Sequence, residues 1–513
     1  MSSQRYNAAV EFVDTNASGP PGGKVAFRDR TRELTYGQLE DRVARVGPAL
    51  GQLGVRREER VLMLMLDTVD FPVVFWGAIR AGMVPVPLNT LLGADQYRYI
   101  LEDSRAGLVV VSGALLPVLR EALGDMTGAV TIVVAGETEA PAGTSLLSSL
   151  LDAAAPAEAA ADTCADDVAF WLYSSGSTGM PKGVKHVHSS LAATARAFGQ
   201  GVLEIRAGDV VFSAAKLFFA YGLGNSMTFP MSVGATSILL DERPTPQSVF
   251  ATMKREQPTI FFGVPTLYAA ILADASCTPA SGSRRLRLCV SAGEALPEHI
   301  GRAWAERFGV EVVDGLGSTE MLHIFVSNTP GAVRYGTSGT PVPGYEAKLL
   351  DEDGAEVGAG EIGELVVSGP SAAEGYWNQR EKSRHTFEGR WTRTGDKYTR
   401  DSDGYYTYCG RTDDMFKVSG IWVSPFEVES ALASHPAVLE AAVVPQEDAD
   451  RLLKPKAYVV LREGASGSAA LEQSLKDHVK AAIGMWKYPR WIEVVDTLPR
   501  TATGKIQRFK LRE

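Results

Sequence analysis

Cysteine is scarce in this sequence of 513 residues, with single residues at positions 164, 277, 289 and 409. No two of them have metal-ligand spacing, which excludes a cysteine-based metal site and predicts reduced, buried thiols. Long hydrophobic runs are also lacking, because the most apolar stretch, 71–92, contains Arg80, Pro85 and Pro87. That stretch is too interrupted to span a bilayer and predicts a core helix followed by a strand.

An excess of basic residues is missing as well. Lys and Arg number 51 against 61 Asp and Glu, a formal net charge of −10, which argues against a general nucleic-acid-binding protein. The first residues carry neither a basic segment nor an apolar segment of the export type. We therefore expect a cytoplasmic protein without a membrane or nucleic-acid partner, and the sequence leaves open whether it is a monomer or a homodimer.

Short β-branched runs alternate with helical patterns through the first part of the chain. Strand candidates are 61–66, 108–113, 130–136, 236–240 and 286–293, and residues 34–54 carry apolar residues at helical spacing. This alternation predicts an α/β protein with layered, mainly parallel sheets. The Ala- and Pro-rich segment 152–163 is typical of a surface connector.

The composition changes near residue 345. Short runs separated by Gly and Asp-Gly pairs over 345–410 predict hairpins and thus a β-rich subdomain. About 100 residues of α+β pattern follow the linker at 411–414, enough for a separate domain. We predict an N-terminal domain over 1–412 and a small C-terminal domain over 413–513.

The strongest local signal is YSSGSTGMPKGVKH at 173–186, directly after a strand-like run. Glycines let successive backbone N–H groups turn toward one anion, and hydroxyls and a lysine add donors and charge. Because Pro181 precedes Lys182 and Gly183 follows it, the segment is not a Walker loop. It predicts a phosphate-binding loop that includes Ser174, Ser175, Gly176, Ser177, Thr178, Gly179 and Lys182.

Six segments in one order resemble the adenylate-forming superfamily of acyl-CoA synthetases, over nearly the whole chain. They are the loop itself, VSAGEAL (290–296), GLGSTE (315–320), RTGD (393–396), GRTDDMFKVSG (410–420) and TATGKIQR (501–508). The resemblance implies ATP, Mg²⁺ and coenzyme A as reactants and cofactors. It also implies that the C-terminal domain is mobile.

The resemblance assigns roles to the remaining nucleotide residues. Thr319 would contact the α-phosphate, and Glu320 would hold Mg²⁺, for which a carboxylate oxygen is a suitable ligand. Asp396 would bind the ribose, supported by Arg411. Further expected nucleotide contacts are Gly293, Glu294, Asp314, Gly315 and Ser318.

The C-terminal motifs supply a hinge and a catalytic lysine by the same resemblance. Asp413 matches the hinge position, and Lys505 matches the lysine that stabilises negative charge on the reacting α-phosphate. Coenzyme A contacts are expected at Phe219, Gly420, Trp486 and Tyr488, with Lys487 and Arg490 as nearby phosphate partners.

Within the superfamily, FFAYGLGN, STEMLHIF (318–325) and KVSGIWVSPFE resemble the benzoate-CoA and hydroxybenzoate-CoA ligase branch. This implies an AMP-forming ligase for a small aromatic acid. A one-ring pocket is expected from Ala220, Tyr221, Ala292, Gly317, His323 and Ile324. Benzoate, hydroxybenzoates and 2-aminobenzoate stay open, with the aminobenzoate ranked third.

Other functions share these motifs. An enzyme that loads an aryl acid onto a carrier protein differs in the thiol acceptor alone. A luciferase-like oxygenase would need an aryl-luciferin pocket, and a non-catalytic nucleotide-binding regulator would lack Lys505 or Glu320, which are both present.

Overall fold

The computed structural model describes residues 5–126, 128–174, 180–412, 414–418, 421–449, 451–484, 487–500 and 506–512, with the backbone alone at 417, 421 and 422. The chain divides into two compact units. The first comprises 1–346 and 367–392, and the second comprises 347–366 and 393–513. The second unit thus takes in residues on both sides of position 412. The predicted boundary between a domain over 1–412 and a mobile domain over 413–513 stays a prediction, because a division into compact units does not report on mobility.

The strands up to residue 341 agree with the alternation predicted from sequence. They are β1 (Val25–Arg28), β2 (Glu33–Thr35), β3 (Arg60–Leu64), β4 (Val84–Pro87), β5 (Leu108–Ser112), β6 (Thr131–Ala135), β7 (Ser145–Leu146), β8 (Val168–Ser174), β9 (Lys182–Val187), β10 (Val210–Ser213), β11 (Thr236–Ile238), β12 (Ile260–Gly263), β13 (Leu288–Ser291), β14 (Val312–Gly317), β15 (Ile324–Ser327) and β16 (Thr340–Pro341).

Short strands then dominate, as the turn-rich composition predicts. They are β17 (Glu346–Leu350), β18 (Gly363–Ser368), β19 (Gly375–Tyr376), β20 (Phe387–Glu388), β21 (Trp391–Arg400), β22 (Tyr406–Arg411), β23 (Phe416–Val418), β24 (Ile421–Val423), β25 (Val438–Glu447), β26 (Leu453–Leu461) and β27 (Trp491–Val494).

The α-helices of the described residues lie between these strands. They are α1 (Thr15–Ser18), α2 (Tyr36–Gln52), α3 (Asp70–Arg80), α4 (Ala94–Ser104), α5 (Leu116–Leu123), α6 (Leu147–Ala153), α7 (His188–Thr194), α8 (Ala220–Leu223), α9 (Phe229–Met231), α10 (Pro246–Glu256), α11 (Pro265–Ala273), α12 (Glu298–Phe308), α13 (Arg380–Thr386), α14 (Pro425–Ala433) and α15 (Ala469–Ile483). Short 3-10 or π-helical turns occur at Val10–Asp14, Pro20–Gly23, Gly113–Leu115, Gly124–Met126, Ala195–Gln200, Gly224–Thr228 and Arg508–Leu511.

A nine-stranded sheet forms the centre of the first unit, in the order β16-β15-β14-β13-β12-β10-β11-β1-β2. The pairings from β1 through β11, β10, β12 and β13 to β14 are all parallel. Because parallel strands are covered by helices on both faces, their residues are buried and apolar. The carboxyl ends of β12, β13 and β14 therefore meet at one edge, where ligands bind in such folds.

A second parallel sheet in the first unit has the order β4-β3-β5-β6-β7. All five residues of β5 are buried, as expected for an interior strand. The preceding helix α3 is buried along nearly its whole length, which confirms the core helix and strand predicted at 71–92. In the described part of the chain, every helix is too short or too polar to cross a bilayer.

Local sequence explains where the longer helices begin. Thr35 caps α2, because its side chain accepts from the Gln38 backbone while the Gln38 side chain bonds back to Thr35, a reciprocal capping box. Ser468 likewise accepts from the backbone N–H of Leu471 at the start of α15.

The second unit contains the predicted α+β pattern. Strands β25, β26 and β27 form one sheet, antiparallel and then parallel, and α14 and α15 cover it. Strands β17, β18 and β21 are neighbours in that order, with β22 on β21. The four cysteines are free thiols, three of them buried and Cys164 half-buried, which largely confirms the expectation.

Candidate functional site

The predicted phosphate loop connects β8 to β9. These two strands pair in antiparallel register with Ser174 opposite Lys182. The other predicted loop residues, Ser175, Gly176, Ser177, Thr178 and Gly179, lie outside the described residues. The Ser174 hydroxyl is buried and has no hydrogen-bond partner in the described part of the chain. Such a hydroxyl fits a phosphate oxygen as its partner.

Lys182, Glu320 and Tyr376 form a closed polar cluster at the end of this loop. The Lys182 Nζ lies 3.0 Å from Glu320 Oε1 and donates to the Tyr376 hydroxyl at 2.7 Å. The Tyr376 hydroxyl donates to the same Glu320 oxygen at 2.8 Å. The side chains of Lys182 and Glu320 are 12% and 16% exposed, so the ion pair is mostly buried but still in contact with solvent.

The Glu320 carboxyl is held in its ionised form. Burial raises its pKa, but the Lys182 charge and hydrogen bonds from Lys182 and Tyr376 outweigh burial and leave the pKa below its usual value. The described residues contain no group of three or more His, Cys, Asp or Glu side chains that could hold a metal alone. A single ionised carboxylate fits Mg²⁺, which proteins bind through one or two carboxylates together with substrate phosphates.

Thr319 is fixed through its backbone. The buried His186 on β9 has Nε2 2.9 Å from the Thr319 carbonyl oxygen. Burial lowers the pKa of His186 to about 4, so the ring is neutral and Nε2 donates to that oxygen. The strand that leaves the loop is thereby tied to the turn that carries Thr319 and Glu320.

The predicted adenine and phosphate residues follow β13 and β14. Ser291 ends β13 and pairs with Asp314 on β14, so Gly293 and Glu294 leave the same edge that presents Ser318. Gly293 has φ of 96°, and an added Cβ would meet Val264 Cγ1 alone, at 3.9 Å. The structure therefore brings together Gly293, Glu294, Asp314, Gly315, Ser318, Thr319 and Glu320 at the end of the parallel sheet.

The predicted aryl pocket residues meet at that edge too. The Tyr221 hydroxyl donates to the carbonyl oxygens of Gly263 and Val290, at the ends of β12 and β13. At Gly317, an added Cβ would lie 2.8 Å from the His323 backbone, so a side chain there would push β15 away. Ala220, Ala292 and Ile324 are also buried in the first unit. Phe219 precedes α8 and packs against Phe218, with ring centroids 4.4 Å apart.

His323 has a defined tautomer. Its Nε2 lies 3.2 Å from the Tyr221 carbonyl oxygen and 3.2 Å from Asn225 Oδ1. Both are acceptors, so Nε2 carries a hydrogen. Burial lowers the pKa of His323 to about 3, which leaves Nδ1 as an unprotonated acceptor. Nδ1 is buried and has no partner within the described ranges.

The predicted ribose pair lies in the second unit. Asp396 on β21 faces Arg411 on β22, and the Arg411 Nη1 donates to Asp396 Oδ1 at 3.0 Å. Arg411 also donates to the Thr394 carbonyl oxygen at 3.2 Å. The guanidinium thus supports the carboxylate, as the sequence suggested.

Of the predicted coenzyme A residues, Phe219 and Tyr488 are described. The Arg490 guanidinium lies 3.6 Å from the Tyr488 ring centroid, and the Lys480 ammonium lies 4.5 Å from it. Lys487 pairs with Glu427 at 2.6 Å. Gly420, Trp486, the hinge residue Asp413 and the catalytic lysine candidate Lys505 lie outside the described residues.

Sequence reasoning missed three residues near the site. Tyr376 holds Glu320 and Lys182, and Asn225 orients His323. Lys382 on α13 is close enough that, besides burial, the Lys182 charge lowers its pKa. Tyr376 and Lys382 lie some way from every motif that was singled out, so no local pattern could have indicated them. Asn225 lies within FFAYGLGN, where a buried helical asparagine is itself a signal.

A cavity of about 250 Å³ lies elsewhere in the first unit. It is lined largely by α10, α12 and the segment between α11 and β13, including Phe250, Trp304 and Phe308. It shares no residue with the cluster at Glu320 or with the predicted aryl pocket.

Comparisons with known proteins agree with this arrangement. Residues 13–377 match the family model described as AMP-binding enzyme, and residues 427–505 match its C-terminal domain. The chain is 60% identical to the 4-hydroxybenzoate–CoA/benzoate–CoA ligase of Rhodopseudomonas palustris, covering 99% of this chain and 94% of the relative. It is 56% identical to the benzoate–CoA ligase of Thauera aromatica, covering 99% and 96%.

A solved structure gives the same result for the fold. The benzoate CoA ligase of Burkholderia xenovorans is similar with a TM-score of 0.91 and 51% identity, covering 99% of this chain and 100% of that one. The predicted α/β architecture, with a large N-terminal part and a smaller C-terminal part, is confirmed.

Proposed function

This chain belongs to the AMP-binding enzyme family, and on that premise we propose that it is an AMP-forming aryl-CoA ligase. The reaction joins an aromatic carboxylic acid to coenzyme A and converts ATP to AMP and pyrophosphate. The observation that carries the proposal is the match along 99% of the chain to relatives named for benzoate and 4-hydroxybenzoate.

The first half-reaction joins two anions. A carboxylate oxygen of the acid attacks the α-phosphorus of ATP, the bond from that phosphorus to pyrophosphate breaks, and an aryl-adenylate forms. The site must therefore supply positive charge and N–H donors. Lys182, the hydroxyl-rich loop beginning at Ser174, and Lys505 would supply them, with Thr319 on the α-phosphate. Mg²⁺ held by Glu320 would neutralise phosphate charge.

The second half-reaction transfers the aroyl group from AMP to coenzyme A. The thiol sulfur of coenzyme A attacks the acyl carbon, its proton leaves, and the bond to AMP breaks. We assign the coenzyme A contacts to Phe219, Gly420, Trp486 and Tyr488. The domain 413–513 would turn at Asp413 between the two steps.

The acid is a benzoate or hydroxybenzoate in this proposal, with 2-aminobenzoate third. The buried pocket residues around Tyr221 and His323 favour one flat ring. The unpartnered acceptor His323 Nδ1 would receive a hydrogen bond from a donor substituent on the substrate ring. Such polar partners let an enzyme distinguish a hydroxylated benzoate from benzoate.

A screen of aromatic and aliphatic acids tests the proposal. The full-length enzyme is incubated with ATP, Mg²⁺ and each acid, with and without coenzyme A, and pyrophosphate, AMP and the thioester are measured. We expect pyrophosphate release with benzoate or hydroxybenzoates and thioester formation that requires coenzyme A. AMP release that ignores coenzyme A would favour the carrier-loading alternative, and no exchange of pyrophosphate into ATP with any aryl acid would contradict both.

A further inference from the structure

Tyr376 lies on a segment that is attached to both halves of the phosphate site. Its strand, β19, pairs antiparallel with β9, so that Tyr376 lies opposite Val184, two residues after Lys182. The Trp377 backbone N–H donates to the Gly183 carbonyl oxygen at 2.8 Å, and that of Ala373 donates to the Glu320 carbonyl oxygen at 2.8 Å. The segment 373–377 thus joins the strand leaving the loop to the turn that carries Glu320.

The side chain of Tyr376 completes this connection. Its hydroxyl accepts from Lys182 and donates to Glu320, and the Lys182 ammonium lies 4.0 Å from the centre of its ring. Tyr376 is 5% exposed and packs against Phe387, with ring centroids 5.4 Å apart. A buried aromatic ring on a paired strand has few alternative positions, so its hydroxyl is a fixed point.

We propose that Tyr376 is a positioning residue that sets the spacing between Lys182 and Glu320 and thereby raises the affinity of the site for the divalent cation that accompanies ATP. This proposal rests on the proposed function, in which Glu320 is the metal carboxylate.

The direction of the effect follows from competition for one carboxylate. Lys182 and a metal ion would both bind the Glu320 carboxylate, and the Tyr376 hydroxyl gives Lys182 a second acceptor. Without that hydroxyl, the ammonium turns fully to Glu320 and the carboxylate loses a donor that orients it. A metal ion must then displace a tighter ion pair.

The variant Tyr376→Phe tests this, because it removes the hydroxyl and keeps the ring. The matched control is Tyr36→Phe, since Tyr36 is also buried and donates to a backbone oxygen, that of Ala235 at 2.7 Å, away from the site. Binding of Mn²⁺ to each full-length protein with α,β-methylene-ATP is titrated by electron paramagnetic resonance. The free Mg²⁺ giving half-maximal pyrophosphate exchange with benzoate is measured beside it.

In Tyr376→Phe we expect about tenfold more Mn²⁺ to be needed for half-saturation and about tenfold more Mg²⁺ for half-maximal exchange, because a hydrogen bond to a charged group is lost. In Tyr36→Phe both concentrations should stay unchanged. Saturating Mg²⁺ should restore most of the exchange rate. Unchanged Mn²⁺ binding, or a rate loss that no Mg²⁺ concentration restores, would overturn the proposal, as would wild-type protein that binds no Mn²⁺–nucleotide.

Failure of the proposed function has a different signature. Wild-type protein would then bind Mn²⁺ with the nucleotide but exchange no pyrophosphate with any aryl acid. Weaker Mn²⁺ binding by Tyr376→Phe would still support the role of Tyr376.

Discussion

Asp314 is a carboxyl group whose burial changes its charge. Burial raises its pKa to about 8, against the opposing backbone hydrogen bonds from Leu296 and Gly315. It is 4% exposed and lies next to the turn that carries Glu320. At neutral pH the carboxyl is therefore mostly protonated in the folded protein and ionised in the unfolded chain.

This difference predicts a pH-dependent effect of Asp314→Asn. Between the usual carboxyl pKa and about 8, the folded state holds a proton that the unfolded state lacks, so stability falls as pH rises, by up to about 1.4 kcal/mol per unit. The neutral amide removes this dependence. Thermal unfolding at pH 5 and pH 8 should show the variant gaining stability relative to wild type at pH 8. If the stability difference between the variant and wild type were the same at pH 5 and pH 8, the protonated state of Asp314 in the folded protein would be contradicted.

His323 allows a prediction about the choice of acid. Replacement by Phe removes the acceptor Nδ1 and keeps a flat ring against Phe229, whose centroid lies 4.5 Å away. If Nδ1 receives a donor on the substrate ring, the ratio of kcat/KM for hydroxybenzoate over benzoate should fall about tenfold. The ratio is measured with 2-, 3- and 4-hydroxybenzoate, and the isomer that falls most identifies the position nearest Nδ1. No change for any isomer would mean that Nδ1 does not contact the ring substituent.

At the scale of elements, the segments on both sides of Lys505 are held firmly within the second unit. Arg500 and Ile506 form an antiparallel bridge, and Arg500 pairs with Glu440. Arg508 donates from Nε and Nη2 to Glu429, at 3.0 and 2.7 Å, and lies 3.6 Å from Asp414. The described residues before and after 501–505 are thus anchored, and Arg508 is linked to the residue after the hinge candidate.

Arg508→Met should therefore impair the function of Lys505 while leaving Lys505 itself in the chain. We expect adenylation to slow by about tenfold or more, since misplacing a catalytic group by a small distance is costly. Thioester formation from supplied aryl-AMP should change little. The control is Lys456→Gln, which breaks a pair with Glu493 in the same unit. Removal of Arg508 also leaves Glu429 buried without its cation, so unfolding temperatures must be compared. Equal slowing of both half-reactions would contradict the positioning role.

Elements were predictable where the local pattern matches the tertiary environment. The continuous apolar run of β5 and the helical spacing and cap of α2 are local patterns, and both elements appear close to their predicted bounds. The loop ends Ser174 and Lys182 were found through their motif. Tyr376 was not, because its role depends on pairing between β19 and β9, which are about 190 residues apart in the chain.

On the scale of the whole molecule, the division of the chain was the hardest feature to predict. The change in sequence pattern places a linker at 411–414, whereas the compact second unit already includes residues 347–366. Strands β17 and β18 share a sheet with β21, which forms a hairpin with β22 across Asp396 and Arg411, so strand pairing draws residues far before 411 into the second unit. Whether the C-terminal domain changes its position between the two half-reactions is therefore a question that kinetics answers.

Lys505→Ala addresses that question. If the C-terminal domain presents Lys505 to the α-phosphate in the first step alone, the variant should lose adenylation by about a hundredfold or more, as removal of one charge-stabilising donor typically does. Thioester formation from preformed aryl-AMP should be nearly unchanged, because in that step the thiol attacks the acyl carbon and no bond is made at phosphorus. Lys510→Ala is the control, being an exposed lysine in the same terminal stretch. Pyrophosphate exchange measures the first step and thioester absorbance the second, and equal losses in both would mean that the two steps share one arrangement of the domains.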